Sequence, residues 1–182
     1  MDISPTSPPG SAAERRGAHL VLVGLPGSGK STVGALVARR LGRPFLDFDT
    51  ELVKRQRMSI ADLFTRHGEA HFRQLEQALT AEVAALDEMV LAPGGGWISQ
   101  PEAVALLRPP AKLVYLRVAP ETALRRMGRG ARNRPLLQRA DPAGELNQLL
   151  ERRRAAYESA DLVVDVEALV PQQVARRLLS LL

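Results

Sequence analysis

The run Gly24-Leu25-Pro26-Gly27-Ser28-Gly29-Lys30-Ser31 fits the pattern G-x-x-x-x-G-K-[ST], whose glycines, lysine and hydroxyl can together hold phosphates. Glycines let backbone N–H groups converge on phosphate oxygens without Cβ collisions. A helix opening at Lys30 adds the positive end of its dipole at the same spot. Lys30 is then expected to reach the β and γ phosphates of a nucleotide, and Ser31 to ligate Mg²⁺ through its hydroxyl. At ordinary residue frequencies the pattern arises by accident in well under about one chain in a hundred. Its place between an apolar run and a helical period argues further against a chance glycine turn.

A phosphate loop means a nucleotide and not yet a reaction, because GTPases and motor ATPases share it. A small-molecule kinase also needs a carboxylate near the acceptor hydroxyl, a metal, cations around the phosphoryl group and a means of excluding water. Asp47 and Asp49 are expected to end a strand over 45–49, where a one-residue gap puts both carboxylates on one face. One could hold Mg²⁺ through water while the other takes the hydrogen bond or the proton of the acceptor. The plainer alternative is a solvated strand end with Asp49 capping the next helix. Arg73 and Glu76, three apart, share a helix face, as an ordinary exposed ion pair also would. Gly94-Gly95-Gly96 follows an apolar run and lets a ligand approach backbone amides, or is simply a flexible turn.

The elements that must position these groups follow from pattern. Short apolar runs at 19–23, 45–49, 89–92, 113–118 and 162–166 read as strands. Helical periods occupy 30–41, closed by Gly42, then 69–86, 143–160 and 171–182. A short helix opens at Ser59 with Asp62 in capping-box position and stops at Gly68; another is expected to start at Ser99, three before Glu102. Pro120 suits the first turn of a further helix, and 128–134 forms a polar segment. Strands alternating with helices predict an α/β fold: three layers, with a five-stranded parallel sheet flanked by helices. Residues 1–17, rich in Pro, Ser, Gly and Ala, read as a flexible tail before a single domain over 18–182.

Composition narrows the classes. The 182 residues suit one domain, with 45% hydrophobic and 25% charged residues. No run approaches the ~20 apolar residues needed to span a bilayer, and the N-terminus lacks the basic start and apolar run of a secretory signal. The absence of cysteine excludes disulfides, thiolate metal sites and a cysteine nucleophile. A cytoplasmic protein without membrane contact is expected. The net charge of +5 sits mostly on arginines scattered along the chain. Small anions account for them without a nucleic-acid partner.

In order and spacing the chain closely resembles shikimate kinase. The likeness rests on the phosphate loop, Asp47-Phe48-Asp49, Ser59-Ile60-Ala61-Asp62-Leu63-Phe64, Gly68-Glu69-Ala70-His71-Phe72-Arg73-Gln74-Leu75-Glu76, Gly94-Gly95-Gly96, Arg134-Pro135-Leu136-Leu137, and Arg153 four before Tyr157. It implies the P-loop NTPase fold with a mobile lid, and ATP-dependent phosphorylation of the 3-hydroxyl of shikimate in chorismate and aromatic amino-acid biosynthesis. On that resemblance, Lys30, Asp49 and Arg134 are the catalytic set. Gly27, Ser28, Gly29, Lys30, Ser31, Thr32, Arg126, Arg134 and Pro171 would bind ATP. Asp49, Arg73, Gly94, Gly95, Gly96 and Arg153 would bind shikimate, with Ser31 and Asp47 at one Mg²⁺ ion. Arg73 and Arg153 would clamp the acceptor carboxylate, which a guanidinium fork matches bidentately. Glu76 would orient Arg73, and Arg134 would swing over the phosphates. Arg126 is placed at adenine, with Arg125 or Arg129 as substitutes. A monomer is implied.

Three residues depart from the family pattern: Met58, Pro93 and Trp97. Trp97 is expected to pack against a helix, the alternative being a narrowed acceptor pocket. Rival classes are another small kinase, of gluconate or a nucleoside monophosphate, and a silent ligand sensor. The acceptor arginines and triple glycine argue against the first. The intact Lys30 and Asp49 argue against the second.

Overall fold

Strand β1 (Leu20–Val23) is apolar and buried at all of its positions, as a strand covered on both faces must be. It is the central strand of the protein, whose computed structural model describes residues 18–128 and 141–182. The other strands are β2 (Phe45–Asp47), β3 (Val90–Ala92), β4 (Lys112–Arg117) and β5 (Leu162–Asp165). All pair in parallel, in the order β2-β3-β1-β4-β5, with Leu20 opposite Val90 on one side and Lys112 on the other. The five-stranded parallel sheet expected from the sequence is therefore present.

This order dictates where the helices go. Crossovers between parallel strands are right-handed, and the step from β1 to β2 runs in the opposite direction along the sheet from the later steps. Helix α1 (Lys30–Leu41) thus covers one face, where α7 (Pro171–Leu179) packs on it. The later crossovers cover the other face with α2 (Phe48–Gln56), α3 (Ile60–Ala84), α4 (Pro101–Leu107), α5 (Pro120–Met127) and α6 (Pro142–Glu158). Among the described residues no helix is long and apolar enough to cross a membrane. The segment 1–17 and most of 128–134, including Arg134, lie outside the described residues, so the expected tail and lid do too.

Helix ends follow local chemistry. Glycine in the left-handed region flanks α1 on both sides, as Gly29 and Gly42. Ser59 caps α3 by accepting the Asp62 N–H at 3.0 Å. Gly68, at φ 80 and ψ 169, breaks the helical path inside α3, so the two helices expected on either side of it form one kinked element. Two expectations need correction. Strand β2 stops at Asp47, and residue 49 lies in the first turn of α2. The cap of that helix is Asp47, whose Oδ1 accepts the Thr50 N–H at 2.9 Å. Ser99 does not open a helix: residues Trp97–Ser99 make a 3₁₀ turn and Gln100 precedes α4. Pro101 sets that boundary, since its fixed φ and missing N–H suit the first helical position.

The core runs through the sheet and includes the large buried side chains Trp97, Tyr157 and Phe48. Trp97 packs as expected, with its indole N–H donating to Thr80 Oγ1 on α3 at 2.9 Å. Truncating it to alanine would cost about 3–5 kcal/mol of stability.

His19, just before β1, is buried, and its Nδ1 accepts the Met89 N–H at 3.1 Å. Burial holds its pKa below 6.5, against the pull of a bond to the Val83 backbone and of Glu88. The unfolded chain therefore takes up a proton that the folded chain refuses. Stability from this group is complete above pH 6.5 and falls as pH drops from there toward the folded pKa. Urea midpoints measured from pH 7.5 to 5 should show that decline, and His19→Gln should flatten it.

Candidate active site

The neighbours β2, β3 and β1 send three loops out of the carboxyl edge of the sheet, the side where ligands of open α/β sheets bind. The loop after β1 is the phosphate loop. Gly27 has φ 82, and a Cβ there would lie 2.3 Å from the Ala123 carbonyl oxygen, so only glycine fits. Lys30 Nζ donates to the carbonyls of Gly24 and Leu25 at 2.9 and 3.0 Å, which lays its charge along the loop. Ser28 Oγ is buried with no hydrogen-bond partner among the described residues. An unpartnered buried hydroxyl in a glycine-rich loop just before a helix N-terminus suits a loop that takes up an anion.

The Ser31 hydroxyl donates to Asp47 Oδ2. Because Asp47 Oδ1 is already fixed by the Thr50 N–H, the carboxylate is pinned between the phosphate loop and α2. A hydroxyl and a carboxylate make a hard oxygen pair. They suit an ion that keeps its waters and takes its remaining ligands from phosphates. No group of three His, Cys, Asp or Glu suited to a metal exists among the described residues. Asp47 and Asp49 do converge, but through the strand-to-helix turn and not along one strand face.

One cavity of about 430 Å³ collects most of the expected residues. Gly27, Ser28, Gly29, Lys30, Ser31 and Thr32 line it together with Asp47, Asp49, Gly94, Gly95, Arg126 and Pro171. Arg73, Gly96 and Arg153 are not among its lining residues; they join it through the glycine triplet.

That triplet is packed against charge. A Cβ on Gly94 would lie 2.7 Å from Glu76 Oε1 and 3.0 Å from Asp49 Oδ1, and one on Gly96 would sit 2.3–2.6 Å from the Arg73 guanidinium. The chain bends there so that side chains occupy the room where its own would be. Glu76 is fully buried and bonds Arg73 Nη1 and Gln100 Nε2 through Oε2. Burial pushes its carboxyl above the usual range; Arg73 pulls it down and Asp49 adds to the rise. Burial also works against the Arg73 charge, but Glu76 and Glu69 outweigh it and hold the guanidinium above its ordinary value. Arg153 Nη1 and Tyr157 Oη both donate to the Gly95 carbonyl at 2.9 Å. Tyr157 is buried, which pushes its phenol up to about 12 and keeps it a donor.

At the opposite end Arg126 Nη2 donates to the Val166 and Glu167 carbonyls at 2.6 and 3.1 Å, which ties α5 to the loop after β5. Arg126 lines the cavity and Arg125 does not; Arg125 bonds Thr122 at 2.9 Å instead. Arg129 lies outside the described residues. Sequence reasoning missed the apolar wall of Met127, Val166, Leu169 and Val174. Position beside Pro171 was the available signal, since aliphatic side chains carry no chemical signature. It also missed Gln100, whose partner Glu76 is far away in sequence.

What this geometry defines is a class: small P-loop kinases, with a phosphate loop at one end of a sheet-edge cavity and a polar, charged pocket at the other. Comparison with known proteins narrows it. The family model for shikimate kinase matches residues 26–182. A shikimate kinase of Moorella thermoacetica is 42% identical over 88% of this chain and 91% of its own length, and one of Pseudomonas syringae pv. syringae is 42% identical over 89% and 94%. The solved shikimate kinase of Acinetobacter baumannii in complex with shikimate superposes with a TM-score of 0.86 at 36% identity, covering 93% of this chain and 94% of that one. A gluconokinase from Sinorhizobium meliloti, at 20% identity and a TM-score of 0.60, shares the fold. The chain belongs to the shikimate kinase family.

Gly94→Ala should leave a folded protein and lower kcat/KM on the order of a hundredfold, because the methyl group forces Glu76 or Asp49 out of place. Circular dichroism with steady-state kinetics checks this. Normal kinetics would show that both carboxylates have room to give way.

Proposed function

We propose that this chain transfers the γ-phosphoryl group of ATP to the 3-hydroxyl of shikimate, giving shikimate 3-phosphate and ADP. The observation that carries the reading is the single cavity shared by Lys30, Ser31, Asp47, Asp49 and the Gly94–Gly95 turn. That shared space supports a reading in which the phosphate loop faces an acceptor held at Asp49 and the glycine turn.

Each residue takes a role that its chemistry allows. The glycines at 27 and 29, with Ser28 and Thr32, cradle the phosphates on backbone donors and the end of α1. Lys30 neutralises charge that spreads over the phosphoryl oxygens in the transition state. Asp49 accepts the hydrogen bond, and then the proton, of the attacking hydroxyl. As the new oxygen–phosphorus bond forms, the bond from the γ-phosphorus to the bridging oxygen breaks, and ADP keeps that electron pair. Ser31 and Asp47 are the residues that would hold Mg²⁺, which when bound neutralises phosphate charge. Arg73 and Arg153 hold the acceptor carboxylate, and Gly94, Gly95 and Gly96 contact its ring through backbone. Arg126 and Pro171 lie at the adenine side, against the wall of Met127 and Leu169. Arg134 belongs over the phosphates at closure, where it adds positive charge and excludes water. We further propose that a monomer with its catalytic domain over 18–182 does this work in the cytoplasm.

ADP release measured with shikimate, gluconate, AMP and CMP offered separately, in ATP and Mg²⁺, tests the acceptor: turnover with shikimate supports the reading, and turnover only with another acceptor sinks it. Lys30→Ala should lower kcat by about a thousandfold or more. Arg153→Ala should raise the KM for shikimate by about tenfold or more with a smaller change in kcat. An unchanged acceptor KM would remove Arg153 from the clamp.

A further inference from the structure

Arg73 has five N–H donors in a rigid plane. Glu76 Oε2 takes one from Nη1, at the buried end. Glu69 Oε1 takes two on the other edge, from Nε at 3.2 Å and from Nη2 at 2.8 Å. Gly96 lies against the same group, so close that a Cβ there would stand 2.3 Å from Nη2 and 2.6 Å from Cζ and Nη1. Among the described contacts this leaves two donors, one on each terminal nitrogen, for an incoming carboxylate.

Glu76 and Gly96 fix the inner side of the guanidinium. Gly96 packs against Nη2 and the centroid of the Phe72 ring lies 5.4 Å from Cζ, but among the described residues the hydrogen bonds that fix the Nε–Nη2 edge come from Glu69 alone. Glu69 is half exposed, at 57% of its side-chain surface, and stands directly after the Gly68 break, one turn before Arg73. An exposed ion pair of this kind contributes little to stability. Here it touches a group that another buried carboxylate already holds, so its effect falls on orientation.

We propose that Glu69 is a positioning residue for acceptor binding: it pins the Nε–Nη2 edge of Arg73 so that the remaining N–H groups of the terminal nitrogens are presented to the acceptor's carboxylate. The proposal rests on the reading of Arg73 as an acceptor-carboxylate ligand. It also assigns the kink at Gly68 a purpose, since the left-handed residue starts a new helical turn with Glu69 one turn from Arg73.

The test compares Glu69→Ala and Glu69→Gln with the unaltered enzyme, using full kinetics for shikimate and ATP, calorimetric shikimate binding and thermal melts. Glu69→Ala should raise the shikimate KM and weaken shikimate binding by about tenfold, with kcat and the KM for ATP within about twofold to threefold. Glu69→Gln keeps an acceptor oxygen on the same edge and should recover part of the loss. A purely structural residue would shift the melting temperature and leave the two KM values in proportion. An unchanged shikimate KM overturns the proposal, and so does a lowered one, which would make Glu69 a competitor of the acceptor. If the unaltered enzyme neither binds nor phosphorylates shikimate, the functional reading fails instead, and the two failures are told apart.

Discussion

Glu76 is a carboxylate with no exposed surface, and the acceptor half of the protein is arranged around keeping it there. A buried charge is tolerated when it is paired and hydrogen-bonded, and removal of its partner is strongly destabilising. Arg73 and Gln100 supply the pairing. The Arg73 guanidinium then needs room, which Gly96 gives by having no side chain, while Gly94 leaves room for Glu76 and Asp49 together. Helix α3, the turn after β3 and the start of α4 are thereby locked to one another by a single buried acid. Glu76 Oε1 has no partner among the described residues, so within them the lock is not fully satisfied.

The phosphate half is built on a different principle. It relies on backbone donors and a helix dipole, with one charge, Lys30, folded back on its own loop. Such a cradle is indifferent to what receives the phosphoryl group, which is why the same fold serves many acceptors. Specificity has to come from the other half, where fixed guanidinium groups and glycine-shaped space stand. Asp49 belongs to both halves: it lines the phosphate cavity and stands beside Gly94.

The two halves meet because of the sheet. With β3 between β2 and β1, the loops carrying Asp47, the glycine triplet and the phosphate cradle leave neighbouring strand ends. Strands lie about 4.8 Å apart, so three adjacent ends bring their loops within the span of one small ligand. The far side of β1 contributes the apolar wall of the cavity through α5 and the loop after β5, which Arg126 ties together.

Much of this was legible in the residues. The phosphate loop, Gly68 as a helix breaker, five apolar runs as strands and the Arg73–Glu76 pairing all rest on local rules of spacing and backbone freedom, which act within a few residues and so show in a linear pattern. Long-range partners do not. That Gln100 serves Glu76, and that Met127, Val166 and Leu169 form one wall, depend on which strands become neighbours. The charge on Arg73 and the two carboxylates on its own helix could be read from the chain, but the glycine that packs against its guanidinium is brought there only by folding.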